Sequence, residues 1–353
     1  IPGIVYLGSK SVMTTTFPSK FIPRAFLDQK SLSDFALNNP NTKIVEKLKS
    51  NRGVVLKPAS EFIFKKTGNL DTENFAQVFV EDPLLIAGHK FDFNFYVAIT
   101  SVNPLRVYYY SKNIHFRFCK YPYDPNNFDR IDSYVISDEH ISVPDFLEIQ
   151  KYFNKSYTYK ESFEAYMLEK GHNVELIYDQ VHECINTIMN SSESKLIEYI
   201  SKVNATYGKL HFFELVRFDF LIDAKLKLHL MEINMSPNLA VPPKVIKSRH
   251  MMESMIYNFF NLVGVGSYLK TQHIHEYDED EEEMVVHNNS LTVTPEICVK
   301  NPCDESCDDA SCQLCWHCMD EEFKVDLKMA YLEHINMGEM TRVVPQKNVI
   351  SSN

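Results

Sequence analysis

At 353 residues, with 44% hydrophobic, 12% aromatic and 24% charged side chains, the chain has an ordinary globular composition and room for one large or two medium domains. A formal charge of −11 argues against a general nucleic-acid binder, whose phosphate contacts demand clustered Lys and Arg. No apolar run reaches the roughly 18 residues of a membrane span, and a first residue of Ile1 rather than Met fits removal of a preceding signal or anchor.

Residues 1–40 mix short apolar pieces with Pro2, Pro18, Pro23 and Pro40 and read as an irregular N-terminal segment. From 41 to 110 the pattern is β-rich, with strands expected at Arg52–Leu56, Phe75–Val80 and Phe91–Thr100, then a turn at Ser101–Pro104 and a returning strand at Leu105–Tyr110. Tyr121 to Val143, rich in Pro, Asp and Asn, reads as a long loop, of a length that is functional or disordered in compact domains. Helices follow at Ser162–Glu169, Val174–Met189 and Glu193–Val203, with Leu176, Val181, Cys184, Ile185 and Ile188 at helical spacing. A hairpin precedes one more helix, about Lys244 to Val263, which Pro242-Pro243 opens and whose Val245, Met252, Ile256, Phe259 and Phe260 are expected on the core. Glu276–Glu283 then holds seven acids in eight positions and reads as a solvated linker; without it the chain carries −4. The divisions expected are therefore an N-terminal segment 1–40, a body 41–265, an acidic linker 266–295 and a cysteine-rich tail 296–353. No repeat of fixed period is present.

The hairpin carries the chemistry. In Leu228–Pro237, Glu232 and Asn234 stand two apart in a strand and so share a face. A turn centred near Lys225 brings Asp219, in Phe218–Ile222, roughly opposite Glu232. Three hard oxygen ligands from two paired strands, with open positions for phosphate and water, suit a Mg²⁺ ion working on ATP. The plain alternative is an edge hairpin with solvated acids.

Two long motifs in order, Ala76–Asp92 continuing through Tyr96–Tyr108, then FELVRFDFLID with HLMEINMSPNL, resemble those of tubulin–tyrosine ligase-like enzymes, the ATP-grasp ligases that add amino acids to tubulin. The resemblance covers about residues 40 to 265. It implies an α+β, ATP-grasp-like fold, with mixed or antiparallel sheets and flanking helices sandwiching ATP, followed here by the cysteine-rich tail. It also implies ATP and Mg²⁺ as cofactors, glutamate as co-substrate, tubulin or microtubules as partner and a cytoplasmic location. The expected activity is polyglutamylase-like: glutamate is joined to a glutamate side chain through an acylphosphate. By the same resemblance Gln77, Val78, Phe79 and Val80 form the adenine-binding hinge and Lys90 and Asp92 face the nucleotide. Lys47, with Lys49 and Lys57 as competitors, contacts phosphate, and Asp219, Glu232 and Asn234 hold the metal. Arg117 grips the incoming amino acid or γ-phosphate, a task suited to a planar bidentate cation.

Several positions depart from the family pattern. The family usually has an arginine two positions after the Asp of its Lys-Phe-Asp; here stands Asn94, which brings no charge, and Arg106 or Arg117 are the cations considered to replace it. The glycine-rich phosphate loop is reduced to Arg52-Gly53, and Tyr134–Asp138 stands where family ligases carry His-Leu-Thr-Asn. A net acidic chain must also form a local basic groove to meet acidic tubulin tails. The alternative reading is thus a silent ATP-grasp relative that binds or scaffolds.

The tail holds Cys298, Cys303, Cys307, Cys312, Cys315 and Cys318, which suit a structural zinc site in cytosol or three disulfides in a secretory lumen. Sequons at Asn154, Asn190, Asn204 and Asn288 tilt the balance toward disulfides and toward a luminal or membrane-anchored location as the alternative to cytoplasm. Asn234 also heads a sequon but is expected buried as a ligand.

Overall fold

The computed structural model describes residues 1–17, 20–47, 55–64, 75–136, 139–155, 157–207, 211–240, 246–265, 298, 303, 306–308, 312–313 and 315–345. The N-terminal part contains α1 (Val5–Gly8), α2 (Lys10–Thr16), β1 (Ala25–Phe26), α3 (Gln29–Asn38), β2 (Lys43–Lys47), β3 (Val55–Pro58) and β4 (Phe75–Val78). Next come β5 (Leu85–Ile86), β6 (His89–Val102), β7 (Leu105–Tyr110), β8 (His115–Phe118), α4 (Leu147–Phe153), α5 (Tyr159–Glu169) and α6 (Glu175–Tyr207). β9 (Glu214–Ile222), β10 (Leu228–Asn234), α7 (Ile246–Leu262), α8 (Glu321–Asn336) and β11 (Met340–Val344) follow.

Two antiparallel sheets organise the chain. The smaller has the order β1-β4-β2-β3; the larger runs β10-β9-β6-β7-β11, with β5 and β8 also paired to β6. The architecture is the expected α+β one, with flanking helices. Within the smaller sheet, Ile44 and Ala76 pack with Phe26, Leu32, Ala59 and Phe62, so this face lies against α3.

β6 is the spine of the larger sheet, and its alternation explains why. Phe91, Phe93 and Phe95 point to one face, where they meet Phe116 of β8, Phe220 of β9 and Phe163 of α5 with ring centroids between 5.9 and 6.5 Å apart. The even positions Lys90, Asp92, Asn94 and Tyr96 therefore share the opposite face. A two-residue turn at Ala87-Gly88, with φ of 49° and 80°, joins β5 to β6. Two positive φ values are what a tight turn between right-twisted strands requires.

Several sequence expectations need correction. Residues 1–40 are not irregular: they hold α1 to α3 and β1. Ser9 and Asp28 cap α2 and α3 by accepting from Val12 N and Ser31 N at 3.5 and 2.8 Å, a local signal that the scattered prolines obscured. The two helices expected across 174–203 are one, α6. Asn190 Nδ2, Ser191 Oγ and Ser192 Oγ bond the carbonyls of Asn186, Thr187 and Met189 within 2.8 Å, so the polar run is satisfied inside the helix instead of breaking it. Leu176 is exposed, and Ile177 takes the core position beside it; on α7, Phe260 is exposed while Met251 and Met255 join Met252 and Phe259 inside.

The segment expected as a detached tail also contributes to the body, because β11 pairs with β7 and extends the larger sheet. Upstream of α8, the cysteines pair as 298–315, 303–312 and 307–318, all at Cα separations of 5.5 Å. The acidic run, Asn288, Val245 and Arg52-Gly53 lie outside the described residues.

Candidate active site

Four strands, β8, β6, β9 and β10, present one polar face. Register sets its composition: Arg117 stands opposite Asp92, His115 opposite Asn94, Asn94 opposite Asp219, and Asp219 opposite Glu232. The next row pairs Tyr96 with Arg217 and Arg217 with Asn234. The turn centred near Lys225 thus puts Asp219 and Glu232 in the expected register, and an irregularity between Leu230 and Glu232 locally shifts the pairing.

Asp219 is the hub. Arg217 donates to both its oxygens, Nε to Oδ1 at 2.7 Å and Nη2 to Oδ2 at 2.8 Å. Asn234 Nδ2 donates to Oδ2 at 2.9 Å, and Arg117 Nη2 approaches the same oxygen at 3.4 Å. With its amide turned to satisfy both ends, Asn94 donates to Asp219 Oδ1 at 3.0 Å. Burial pushes the Asp219 carboxyl above its ordinary range, against the pull of Arg217 and Arg117. Arg117 makes its principal contact with Asp92, at 3.2 Å through Nε and 2.5 Å through Nη2. Glu232 pairs with Lys10 of α2 at 3.2 Å. Burial and the flanking Arg117 and Arg217 push His115 down to about 3, so its imidazole is neutral at physiological pH.

Lys90 lies at the meeting of the two sheets, its Nζ 4.7 Å from the centroid of the Phe79 ring. Burial drives its pKa down to about 8, partly offset by Cys119 and Asp92. Phe79 in turn meets Phe128 and Tyr134 edge-on at 5.9 and 6.0 Å, so the 121–136 loop closes over the hinge with its aromatic residues. Within that hinge, Val78 N and Phe79 N are committed to the carbonyls of Arg24 and Lys43 at 2.8 and 2.9 Å. Gln77 is fully buried; its Nε2 donates to Pro23 O at 3.0 Å and its Oε1 has no partner among the described residues. Val80 lies two residues past the end of β4.

Lys47 ends β2 with its Cα opposite Phe75, whereas Lys57 stands opposite Ile44 and so belongs to the α3 side. Lys49 lies outside the described residues. Arg106 is not in the cluster: it is buried against Glu333 Oε2 at 2.9 Å. Sequence reasoning missed Arg217, His115, Tyr96 and Lys10. Strand alternation from Asp219 back to Arg217 was a usable signal; nothing in the sequence links Lys10 to Glu232.

The donor set fits the implied groups. Two carboxylates and an amide on adjacent strands are the hard oxygen ligands that Mg²⁺ takes. The unpartnered, buried Gln77 Oε1 is an acceptor of the kind an adenine amino group satisfies. Lys10, Lys90, Arg117 and Arg217 outnumber Asp92, Asp219 and Glu232 by one, a formal excess of positive charge suited to a polyanion.

Comparison with known sequences shows the family. The profile of the Tubulin-tyrosine ligase family matches residues 8–273, most of the chain. The chain belongs to this family. It is 31% identical over 352 residues to the probable tubulin polyglutamylase ttll-15 of Caenorhabditis elegans, covering 97% of this chain and 66% of that one. To the tubulin polyglutamylase TTLL6 of Mus musculus it is 29% identical over 194 residues, 54% of this chain and 23% of the relative. The probable alpha-tubulin polyglutamylase Ttll1 of Tetrahymena thermophila matches at 28% over 262 residues, 69% of this chain and 60% of its own. The chain thus spans from under a quarter to about two thirds of the length of these relatives.

Proposed function

We propose that this member of the tubulin–tyrosine ligase family is an ATP- and Mg²⁺-dependent ligase that joins free glutamate to glutamate side chains of tubulin through an acylphosphate. One observation carries the reading: Asp92, Arg117, Asp219, Glu232 and Asn234 converge on a single sheet face from four strands. Mg·ATP, when bound, supplies the phosphoryl group that activates the acceptor carboxylate. Asp219, Glu232 and Asn234 hold the metal, Gln77 Oε1 accepts from adenine, and Lys90 neutralises phosphate. Arg117, held by Asp92, orients the incoming amino acid or the γ-phosphate, and the Phe79–Phe128–Tyr134 aromatic wall excludes water from the base side. The names of the relatives, tubulin polyglutamylases, support tubulin as acceptor and, with it, a cytoplasmic, microtubule-associated location.

The deciding test of the metal set is thermal stabilisation by Mg·ATP. At a hundredfold excess over Kd the gain is ~2.7 kcal/mol, and Glu232→Gln, which removes charge but keeps shape, is expected to abolish most of it. Equal shifts in both proteins contradict the assignment.

A second reading of the acceptor follows from the three disulfides, which form and persist in oxidising compartments. It places the acidic acceptor in a secretory lumen. Cys307, His317 and Cys318 bring ligand atoms within 4.8 Å of one another, but the two sulfurs are bonded to each other and offer no thiolate to zinc. Stoichiometric zinc in protein purified without reductant would remove this reading.

A further inference from the structure

We infer that Arg217 supplies from β9 the guanidinium that position 94 lacks on β6 and, with Arg117, grips the terminal phosphate of the bound nucleotide. The inference rests on the ATP-dependent reading of the site and bears on whether the chain is silent. Asn94 is fully buried and neutral, and directly across from it stands Asp219. A guanidinium beside that carboxylate can come from either strand. Here it comes from β9: Arg217, two residues before Asp219, folds along its own strand and occupies both carboxylate oxygens. Arg117 reaches the same carboxylate from β8 across Asp92.

Arg117 Nη2 thus reaches two carboxylates, Asp92 and Asp219, while Arg217 turns to Asp219 alone. With Lys10 and Lys90 the site carries one formal positive charge more than its acids, and its two guanidinia are planar cations whose donors match phosphoryl oxygens. Arg217 keeps 11% of its side chain exposed and Arg117 keeps 23%, so neither is sealed in the core. Asn234, opposite Arg217 in register, sets the metal ligands and the arginine on neighbouring strands of one face. The loss of charge at position 94 is thus offset from the next row of the same sheet face.

Calorimetric titration of the full chain with Mg·AMP-PNP, Mg·ADP and AMP separates this role from a merely structural one. The wild type is expected to bind AMP-PNP more tightly than ADP. Arg217→Met should weaken AMP-PNP by about ten- to hundredfold while AMP affinity stays unchanged. Arg217→Lys should retain part of the preference, and Asn94→Arg with Arg217→Met, which returns the charge to β6, should restore it. Unchanged AMP-PNP affinity in Arg217→Met would overturn the inference, as would equal losses for AMP and AMP-PNP, which mark a structural arginine. If the double variant does not fold, the Lys and Met variants decide. A wild type that binds no adenine nucleotide sinks the ATP-dependent reading itself, whereas a wild type that binds them beside an unaltered Met variant sinks only Arg217.

Discussion

Lys90 is a buried cation to which the proposed function gives the task of neutralising phosphate. Its folded pKa lies near 8, depressed by burial from the ordinary 10.5, so the charged form costs stability below about 8 and that cost fades as pH rises from there toward 10.5. Phosphate binding runs the other way, since it needs the ammonium. Nucleotide affinity is therefore expected to hold level up to about pH 7 and to fall by up to roughly tenfold per unit above 8. Lys90→Arg, always charged, should flatten that decline; a titration series from pH 6.5 to about 9.5 with both proteins checks it. Arg117→Ala should cost ligation about ten- to hundredfold with AMP affinity retained, read as incorporation beside nucleotide affinity. Incorporation that survives unchanged excludes Arg117 as the grip. At this scale the sequence was informative where strand alternation carried the signal: Lys90 with Asp92, and Glu232 with Asn234, share their faces as spacing required. It was silent where partners lie far apart in the chain, as for Lys10 with Glu232 and Arg106 with Glu333.

Among the elements, the β9–β10 hairpin and the β6–β7 return were legible because their turns are short and their strands alternate. The role of 321–345 was not, because a cysteine-rich stretch after an acidic run reads as an appendage. Its attachment is a buried network: Glu333 Oε2 of α8 accepts from Arg106 Nε and from Tyr108 OH, each at 2.9 Å, and Arg342 of β11 donates to the same hydroxyl at 2.6 Å. Breaking one side leaves a buried charge without its partner. Glu333→Ala is accordingly expected to cost ~3–5 kcal/mol in urea unfolding, with much of the loss recovered when Arg106→Met is added. A cost below ~1 kcal/mol, the range of exposed pairs, would show that α8 and β11 are not clamped to the sheet as described.

For the molecule as a whole, two chemistries meet: a ligase-family body and a cysteine cluster locked by three disulfides. Only Cys119 and Cys184 are free thiols, both buried, so alkylation of denatured, unreduced protein should label two of the eight cysteines. The fold class was legible through the two long motifs that resemble the ligase family, and the α+β architecture bears it out. Which acceptor the cleft serves was not, because acceptor choice lies in surface shape and charge that strand periodicity does not encode. The most direct measurement incubates the full chain with Mg·ATP, labelled glutamate and microtubules, and follows label into tubulin together with phosphate release. Incorporation that requires ATP and is lost in Glu232→Gln is the predicted result. Binding of ATP with no transfer to tubulin would contradict it.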